Sequence, residues 1–223
     1  PLGIDLGKGS VTLTEVHEED WAHAWKKYYK PVRVSQRITI APTWEAYMPQ
    51  AEEEQVIRLD PGMAFGTGTH PTTILCIRAL EKYLQPGMVV IDVGCGSGVL
   101  SIASVKLGAE KVLALDIDEL AVKVCQENVE INRMGERITV RRNNLLDGIN
   151  LEADLIVANI LAEVIVRFID QAHQRLKPGG FFLVSGIIPA KQTMVEERLR
   201  SQGFTIVETV NLEDWLAIVA QKV

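Results

Sequence analysis

The stretch Val89-Val-Ile-Asp-Val-Gly-Cys-Gly-Ser-Gly98 constrains the fold of this chain more than any other. It reads as a buried apolar strand that runs into three glycines at alternate positions, Gly94, Gly96 and Gly98. With no Cβ in the way, such a turn lets a ligand approach the backbone ahead of a helix N-terminus. A dinucleotide fingerprint would read G-x-G-x-x-G. Here the third glycine comes one residue early, and Val99 stands where that fingerprint needs glycine or alanine. Taken alone, the run also suits a tight strand–helix turn with no ligand.

Its surroundings favour a ligand. Lys111-Val-Leu-Ala-Leu-Asp116 is a second apolar strand, ending in an acid 22 positions beyond Gly94. In a right-handed βαβ unit that strand lies beside the first, which brings Asp116 next to the glycine turn. A carboxylate there can accept both ribose hydroxyl hydrogens of a nucleoside. The competing reading has Asp116 and Asp118 capping the next helix, a role that suits Asp118. Asp92 lies two residues before the first glycine. Acid-x-G-x-G-x-G after a strand is the form typical of S-adenosylmethionine (SAM) binding.

Composition sets outer bounds. A chain of 223 residues, 47% hydrophobic and 23% charged, suits one globular α/β domain with a small appendage. A net charge of −6 argues against direct nucleic-acid binding. No apolar run approaches the roughly 18 residues that would span a membrane. Cys76, Cys95 and Cys125 are scattered without metal-ligand spacing, so no metal is expected and a reducing, cytoplasmic setting fits. Cys95 suits a small space-filler inside the turn. The first residues, Pro1-Leu-Gly-Ile-Asp, resemble neither a signal peptide nor a start, and read as the inside of a longer chain.

Along the chain, Trp21, Trp25 and Tyr28 fall on one face of a helix expected over 18–29. Residues 32–40 alternate like a half-buried strand, 43–55 read as a polar loop, and a short strand follows at 56–60. Beyond residue 70 strands and helices alternate, which predicts a mostly parallel sheet covered on both faces. Strands are expected near 88–93, 111–116, 137–142, 153–158, 179–186, 204–211 and 215–222. Helices fall near 71–84, 98–108, 118–132, 161–176 and 189–202. The last two strands are separated only by the turn at Glu213-Asp214, so they form an antiparallel hairpin. The predicted fold class is therefore α/β: the Rossmann-like seven-stranded sheet of class I SAM-dependent methyltransferases, with the last strand antiparallel. Residues 1–55 are an N-terminal linker region and 56–223 the catalytic domain.

Ligands of such sheets bind beyond the carboxyl ends of the strands. Those ends carry Asp92, Gly94, Gly96 and Gly98, then Asp116 and Ile117, then Asn143-Asn144-Leu145. The asparagine-rich segment either surrounds an adenine with Asn144 and Leu145 or is an ordinary loop of turn formers. Ala153-Asp-Leu-Ile-Val-Ala-Asn159 ends in an asparagine that faces the methyl donor. Enzymes that methylate planar amines carry Asn/Asp-Pro-Pro-aromatic here, the ring stacking on the acceptor. Ile160-Leu161-Ala162 replaces that ring, which implies a non-planar amine such as a lysine side chain or a chain N-terminus. Asn159 also reads as the N-cap of the next helix, and both roles can coexist. Upstream, Leu59-Asp-Pro-Gly-Met-Ala-Phe-Gly-Thr-Gly-Thr-His-Pro-Thr-Thr73 is rich in glycine yet holds Met63 and Phe65, as a loop closing over a cofactor would. His70 is either a helix cap or a catalytic base.

Together the loop 59–73, the run 90–98, Asp116-Ile-Asp118 and Ala158-Asn-Ile-Leu161 closely resemble the ribosomal protein L-eleven (L11) methyltransferase family, PrmA, from Glu18 to the C-terminus. That resemblance implies methyl transfer from SAM to lysine ε-amines and the N-terminal α-amine of ribosomal protein L11; a monomer is the separate expectation for its assembly. It implies SAM contacts at Thr73, Gly94, Asp116 and Asn159, to which Phe65 and Thr69 of the loop are added. Family members carry a substrate-recognition domain ahead of the tryptophan-rich helix, whereas seventeen residues precede it here. Either an excised catalytic fragment or a natural short form is expected, and the missing initiator methionine favours the fragment. Rival readings are a methyltransferase for another protein or small-molecule amine, and a non-catalytic SAM-binding module of ribosome assembly. A nicotinamide oxidoreductase is disfavoured by Val99 and the terminal hairpin.

Overall fold

The computed structural model describes residues 29–60 and 68–223. The expected helix 18–29, all but its last residue, and loop residues Gly62, Met63, Phe65 and Gly66 lie outside the described residues. Between Pro31 and Val223 the chain forms one compact unit. Three short strands come first: β1 (Val32–Arg33), β2 (Ile38–Pro42) and β3 (Gln55–Leu59). The half-buried strand expected over 32–40 is broken, because Ser35 Oγ accepts the Ile38 N–H at 3.0 Å and turns the chain back. β2 then pairs antiparallel with β1 and parallel with β3, and all five of its residues are buried.

The rest is strand–helix alternation: α1 (Pro71–Tyr83), β4 (Val89–Val93), α2 (Val99–Lys106), β5 (Lys111–Asp116), α3 (Glu119–Ile131), β6 (Ile138–Arg142), β7 (Ala153–Asn159), α4 (Ala162–Arg175), β8 (Leu176–Ile187), α5 (Gln192–Ser201), β9 (Phe204–Leu212) and β10 (Trp215–Lys222). The order across the main sheet is β6-β5-β4-β7-β8-β10-β9. β4 to β8 run parallel, and β10 lies antiparallel to both its neighbours. The reversed strand thus sits inside the sheet and β9 takes the edge. Burial explains this choice, since Leu216–Ala220 is buried throughout whereas β9 is largely half-exposed.

Alternate residues of the central strands feed two cores. Val90, Leu155, Val157 and Leu183 join Ile38, Ile57, Ile77 and Ile102 on one face. Ile91, Ile156, Phe182 and Val184 join Ile165 and Phe168 on the other. Phe168 packs edge-on against Phe182 at 5.7 Å, a contact whose loss to alanine costs about 3–5 kcal/mol.

Polar side chains tie the strands together at both ends of the sheet. Asp154 accepts the Val89 N–H and the Lys177 ammonium, both at 2.8 Å, which locks the start of β4 to β7 and β8. Asn128, fully buried on α3, donates to the carbonyls of Ser97 (2.9 Å) and Asp60 (3.2 Å). It thereby joins the glycine turn to the segment that follows β3. Among the described residues no helix is long and apolar enough to cross a membrane.

Candidate active site

The order of strands reverses between β4, which leads outward through β5, and β7, which starts the other half of the sheet. At such a switch point the connections diverge and leave a crevice beyond the carboxyl ends. A cavity of about 530 Å³ lies there, lined by Gly94, Gly96, Asp116, Asn144, Leu145 and Asn159 among others. Its size is that of a nucleoside-sized ligand site.

Gly94 must be glycine for two reasons. Its φ is +76°, and a Cβ would come within 2.4 Å of Ile160 Cγ2. Its N–H donates to the Leu115 carbonyl at 2.8 Å, which ties the turn to the end of β5. The Asp116 carboxylate is oriented by the same turn. Oδ2 accepts the Gly96 N–H at 2.9 Å and Oδ1 the Asp118 N–H at 3.0 Å. The helix-capping role falls to Asp118, which accepts the Leu120 N–H at 2.9 Å, so Asp116 is held as a half-buried carboxylate on the cavity wall. Ile117 beside it is 61% exposed and also lines the cavity.

On the far side, Asn143 staples the loop by donating to the carbonyls of Leu145 (2.9 Å) and Asp147 (3.1 Å). That staple holds Leu145 in a left-handed conformation (φ 49°), presenting its side chain and Asn144 to the cavity. Val164 and Arg167 of α4 complete the wall, and no sequence pattern pointed to them.

Asp92 and Gly98 lie apart from this lining. Asp92 is fully buried beneath the turn, where Oδ2 accepts the Ser101 hydroxyl at 2.6 Å and Oδ1 has no partner. Burial pushes its carboxyl up to about 7, with the nearby Asp116 charge adding to the rise and the Ser101 hydrogen bond opposing it. Gly98 is the N-cap of α2, packed against Cys125. Cys95 and Cys125 are both buried, and Cys95 is held far above the ordinary thiol range by its contact with Cys125 and by burial, as befits a space-filler.

Asn159 ends β7, and its Nδ2 donates to Thr73 Oγ1 at 3.4 Å. The expectation that it caps the next helix does not hold, because Leu161 occupies the N-cap of α4 without a side-chain hydrogen bond. Gly186 explains how the β7 end reaches its position. With φ +85°, a Cβ there would stand 2.3 Å from the Ile160 carbonyl oxygen, so only glycine lets β8 pass so close to the Asn159-Ile160 backbone.

A second cavity of about 410 Å³ opens on the other side of Asn159, Ile160 and Leu161, bounded by His70, Gly186 and Trp215. His70 caps α1: Nδ1 accepts the Thr72 N–H at 3.3 Å and lies 2.8 Å from Thr72 Oγ1. Its ring meets Trp215 edge-on, with centroids 5.2 Å apart. Trp215 escaped the sequence reading, although a tryptophan opening an otherwise aliphatic strand was a visible signal. Thr73 is buried at the start of α1, Thr69 is exposed and lines neither cavity, and Phe65 lies outside the described residues.

A seven-stranded sheet with one inserted antiparallel strand, a glycine turn at its switch point and a fixed carboxylate on the adjacent strand define a class I SAM-dependent methyltransferase. Relatives narrow this class. Residues 2–223 match the family described as ribosomal protein L11 methyltransferase (PrmA). Ribosomal protein L11 methyltransferase of Oceanobacillus iheyensis is 60% identical, over 98% of this chain and 70% of that protein. Its counterpart in Halalkalibacterium halodurans is 62% identical, over 98% and 69%. The crystal structure of ribosomal protein L11 methylase from Lactobacillus delbrueckii subsp. bulgaricus superposes with a TM-score of 0.83 at 36% identity, covering 87% of this chain and all of that one. The chain belongs to the ribosomal protein L11 methyltransferase (PrmA) family.

Proposed function

We propose that this chain transfers methyl groups from SAM to amines of ribosomal protein L11, namely lysine ε-amines and the N-terminal α-amine. The observation that carries this reading is the meeting of two cavities at Asn159, one with a nucleoside-type donor set and one mostly apolar. The relatives at about 60% identity, which are named ribosomal protein L11 methyltransferases, supply the acceptor protein. The cytoplasm is the matching compartment, and a single copy of the chain holds every residue used below.

The residues fit SAM. Gly94 and Gly96 bare their backbone to the ligand, and the Asp116 carboxylate faces the cavity with an orientation set by two backbone donors. Asp116 would hold the ribose hydroxyls, while Ile117, Asn144 and Leu145 enclose the adenine. Bound there, SAM supplies a methyl group already activated on a cationic sulfonium. The protein's part is then positioning, worth several kcal/mol when reacting atoms are aligned.

Attack requires a neutral amine, whereas a free lysine ammonium has a pKa near 10.4. Among the described residues lining the second cavity there is no carboxylate to hold the charged form. Burial there favours loss of the ammonium proton to solvent before the amine reaches Asn159. The Asn159 amide nitrogen is engaged by Thr73, so its carbonyl oxygen is the atom that accepts a hydrogen from the amine and orients the lone pair. His70 borders the path as a helix cap that shapes the wall; we assign it a supporting role rather than that of the base.

The test is transfer of labelled methyl from SAM to purified ribosomal protein L11, with a longer relative as control. Label in L11 from both proteins is expected; label with the longer relative alone, despite SAM binding here, would show that residues 1–223 do not suffice to recognise L11, and label from neither would refute the acceptor assignment. Replacing Asn159 by alanine should reduce turnover at least tenfold, the scale of about 1.4 kcal/mol, while SAM affinity changes much less. Equal losses in both would make Asn159 a cofactor contact only.

A further inference from the structure

The second cavity has features that the methyl-transfer reading leaves unused. Its walls are aliphatic and aromatic, from Ile160, Leu161 and Trp215, and His70 is the single titratable group among the described residues lining it. Leu161 is 65% exposed at its rim, although it borders both cavities. An apolar rim and shaft ending on an amide match a long unbranched amine, apolar along its stem and polar at its tip.

Trp215 stands next to a local irregularity in the sheet. Glu213, at φ 54°, makes the tight turn between β9 and β10. Just beyond it, the pairing of β10 with β8 slips in register between Leu216 and Ala217. The extra residue of the slip is Gly186 of β8, which itself lines the shaft. Here Trp215 is half-buried at the opening of β10, its ring set against His70 with planes 67° apart. The contact joins the hairpin tip to the start of α1, the helix that packs across β8 and β10.

We propose that Trp215 determines acceptor specificity: its ring is the wall along which the alkyl stem of the incoming amine lies, opposite Leu161, so that the nitrogen is delivered to Asn159. This rests on the reading of the enzyme as an amine methyltransferase. The ring does two things for such a substrate. Its apolar face replaces water along the stem, and its π-face tolerates the ammonium during entry, before the proton is lost. An amine without such a stem, the N-terminal α-amine among them, covers less of the ring and gains less from it, so the ring favours lysine ε-amines.

The test uses the full chain with two variants, Trp215→Ala and Trp215→Phe, and N-α-acetyl-lysine amide as probe. Proton–nitrogen spectra of the indole groups, with the Trp215 signal assigned by its loss in Trp215→Phe, should show that signal shifting on titration with the probe. In methyl-transfer assays Trp215→Ala should raise the acceptor KM about tenfold or more, since the stem loses an apolar wall worth roughly 1.4 kcal/mol. Trp215→Phe should keep most of the wild-type value, and SAM affinity by calorimetry should stay within about twofold in both. An unmoved Trp215 signal, an unchanged KM, or a parallel loss of SAM affinity would each overturn the proposal. If the probe shifts the Trp215 signal yet no amine of any kind is methylated, it is the reading of the reaction that fails, while the amine shaft stands.

Discussion

Asp92 offers the sharpest test of the forces around the glycine turn. Its side chain is fully buried at the end of β4, with Ser101 of α2, Cys76 of α1 and Asp116 of β5 around it. The folded carboxyl titrates near 7, against 3.8 for the unfolded residue. The unfolded chain therefore loses its proton first as pH rises. The stability that neutral Asp92 contributes is complete below about pH 4 and drains away up to about pH 7. A separation of this size corresponds to about 4 kcal/mol in full, of which about 2.5 kcal/mol falls between pH 5 and pH 8. The carboxylates held low, Glu54 at about 2 and Glu196 and Glu208 below their ordinary values, act in the opposite sense and below that window. Asp92→Asn removes the titration while keeping the shape. It buries an amide donor, a pH-independent cost of about 1–3 kcal/mol, so the readout is the slope and not the offset. Urea unfolding of the ligand-free protein should show the wild type losing about 2.5 kcal/mol more than Asp92→Asn between pH 5 and 8, or about 5–10 °C in Tm. The His173 ring, which burial draws downward, affects both proteins alike and cancels. Parallel stability curves for the two proteins would refute the reasoning, because the carboxyl would then be ionised throughout and hydrated or paired.

Two further outcomes follow from the site geometry. Gly186→Ala places a Cβ 2.3 Å from the Ile160 carbonyl at a positive φ, and should cost about 3 kcal/mol in urea unfolding and displace Asn159 with loss of turnover; Gly87→Ala, at nearly the same φ but with nothing within 4 Å, should cost only about 1 kcal/mol, and equal costs would show that strain rather than contact governs. Asp116→Asn, which leaves one backbone donor without its acceptor and removes the ribose-facing charge, should weaken SAM binding by about 1.5–3 kcal/mol in calorimetry; an unchanged Kd would take Asp116 away from the ribose.

What could be read before the structure, and what could not, divides along a physical line. The glycine turn, Asp116 and the βα alternation depend on backbone conformation and apolar periodicity, which neighbouring residues impose directly, and strand ends fall within a few residues of expectation. Side-chain partnerships across the fold carry no local mark. Whether Asp92 faces the cavity or lies beneath it depends on Ser101 and Cys76, from two other elements, and whether Asn159 caps a helix depends on where β8 passes. The position of β10 lies between these cases. The turn at Glu213 required a hairpin but left open which strand of it meets β8. Composition does choose: Trp215-Leu-Ala-Ile-Val-Ala220 is apolar on both faces, whereas β9 puts Thr205, Val207 and Asn211 in contact with solvent. A strand inside a sheet covered on both faces suits the first pattern, whereas an edge strand, with one side open to water, tolerates the second. That placement also gives Trp215 its use. Were β10 at the edge, with β9 against β8, its first residue would stand one strand farther from β8, from Gly186 and from the end of β7, and the shaft leading to Asn159 would lack its aromatic wall.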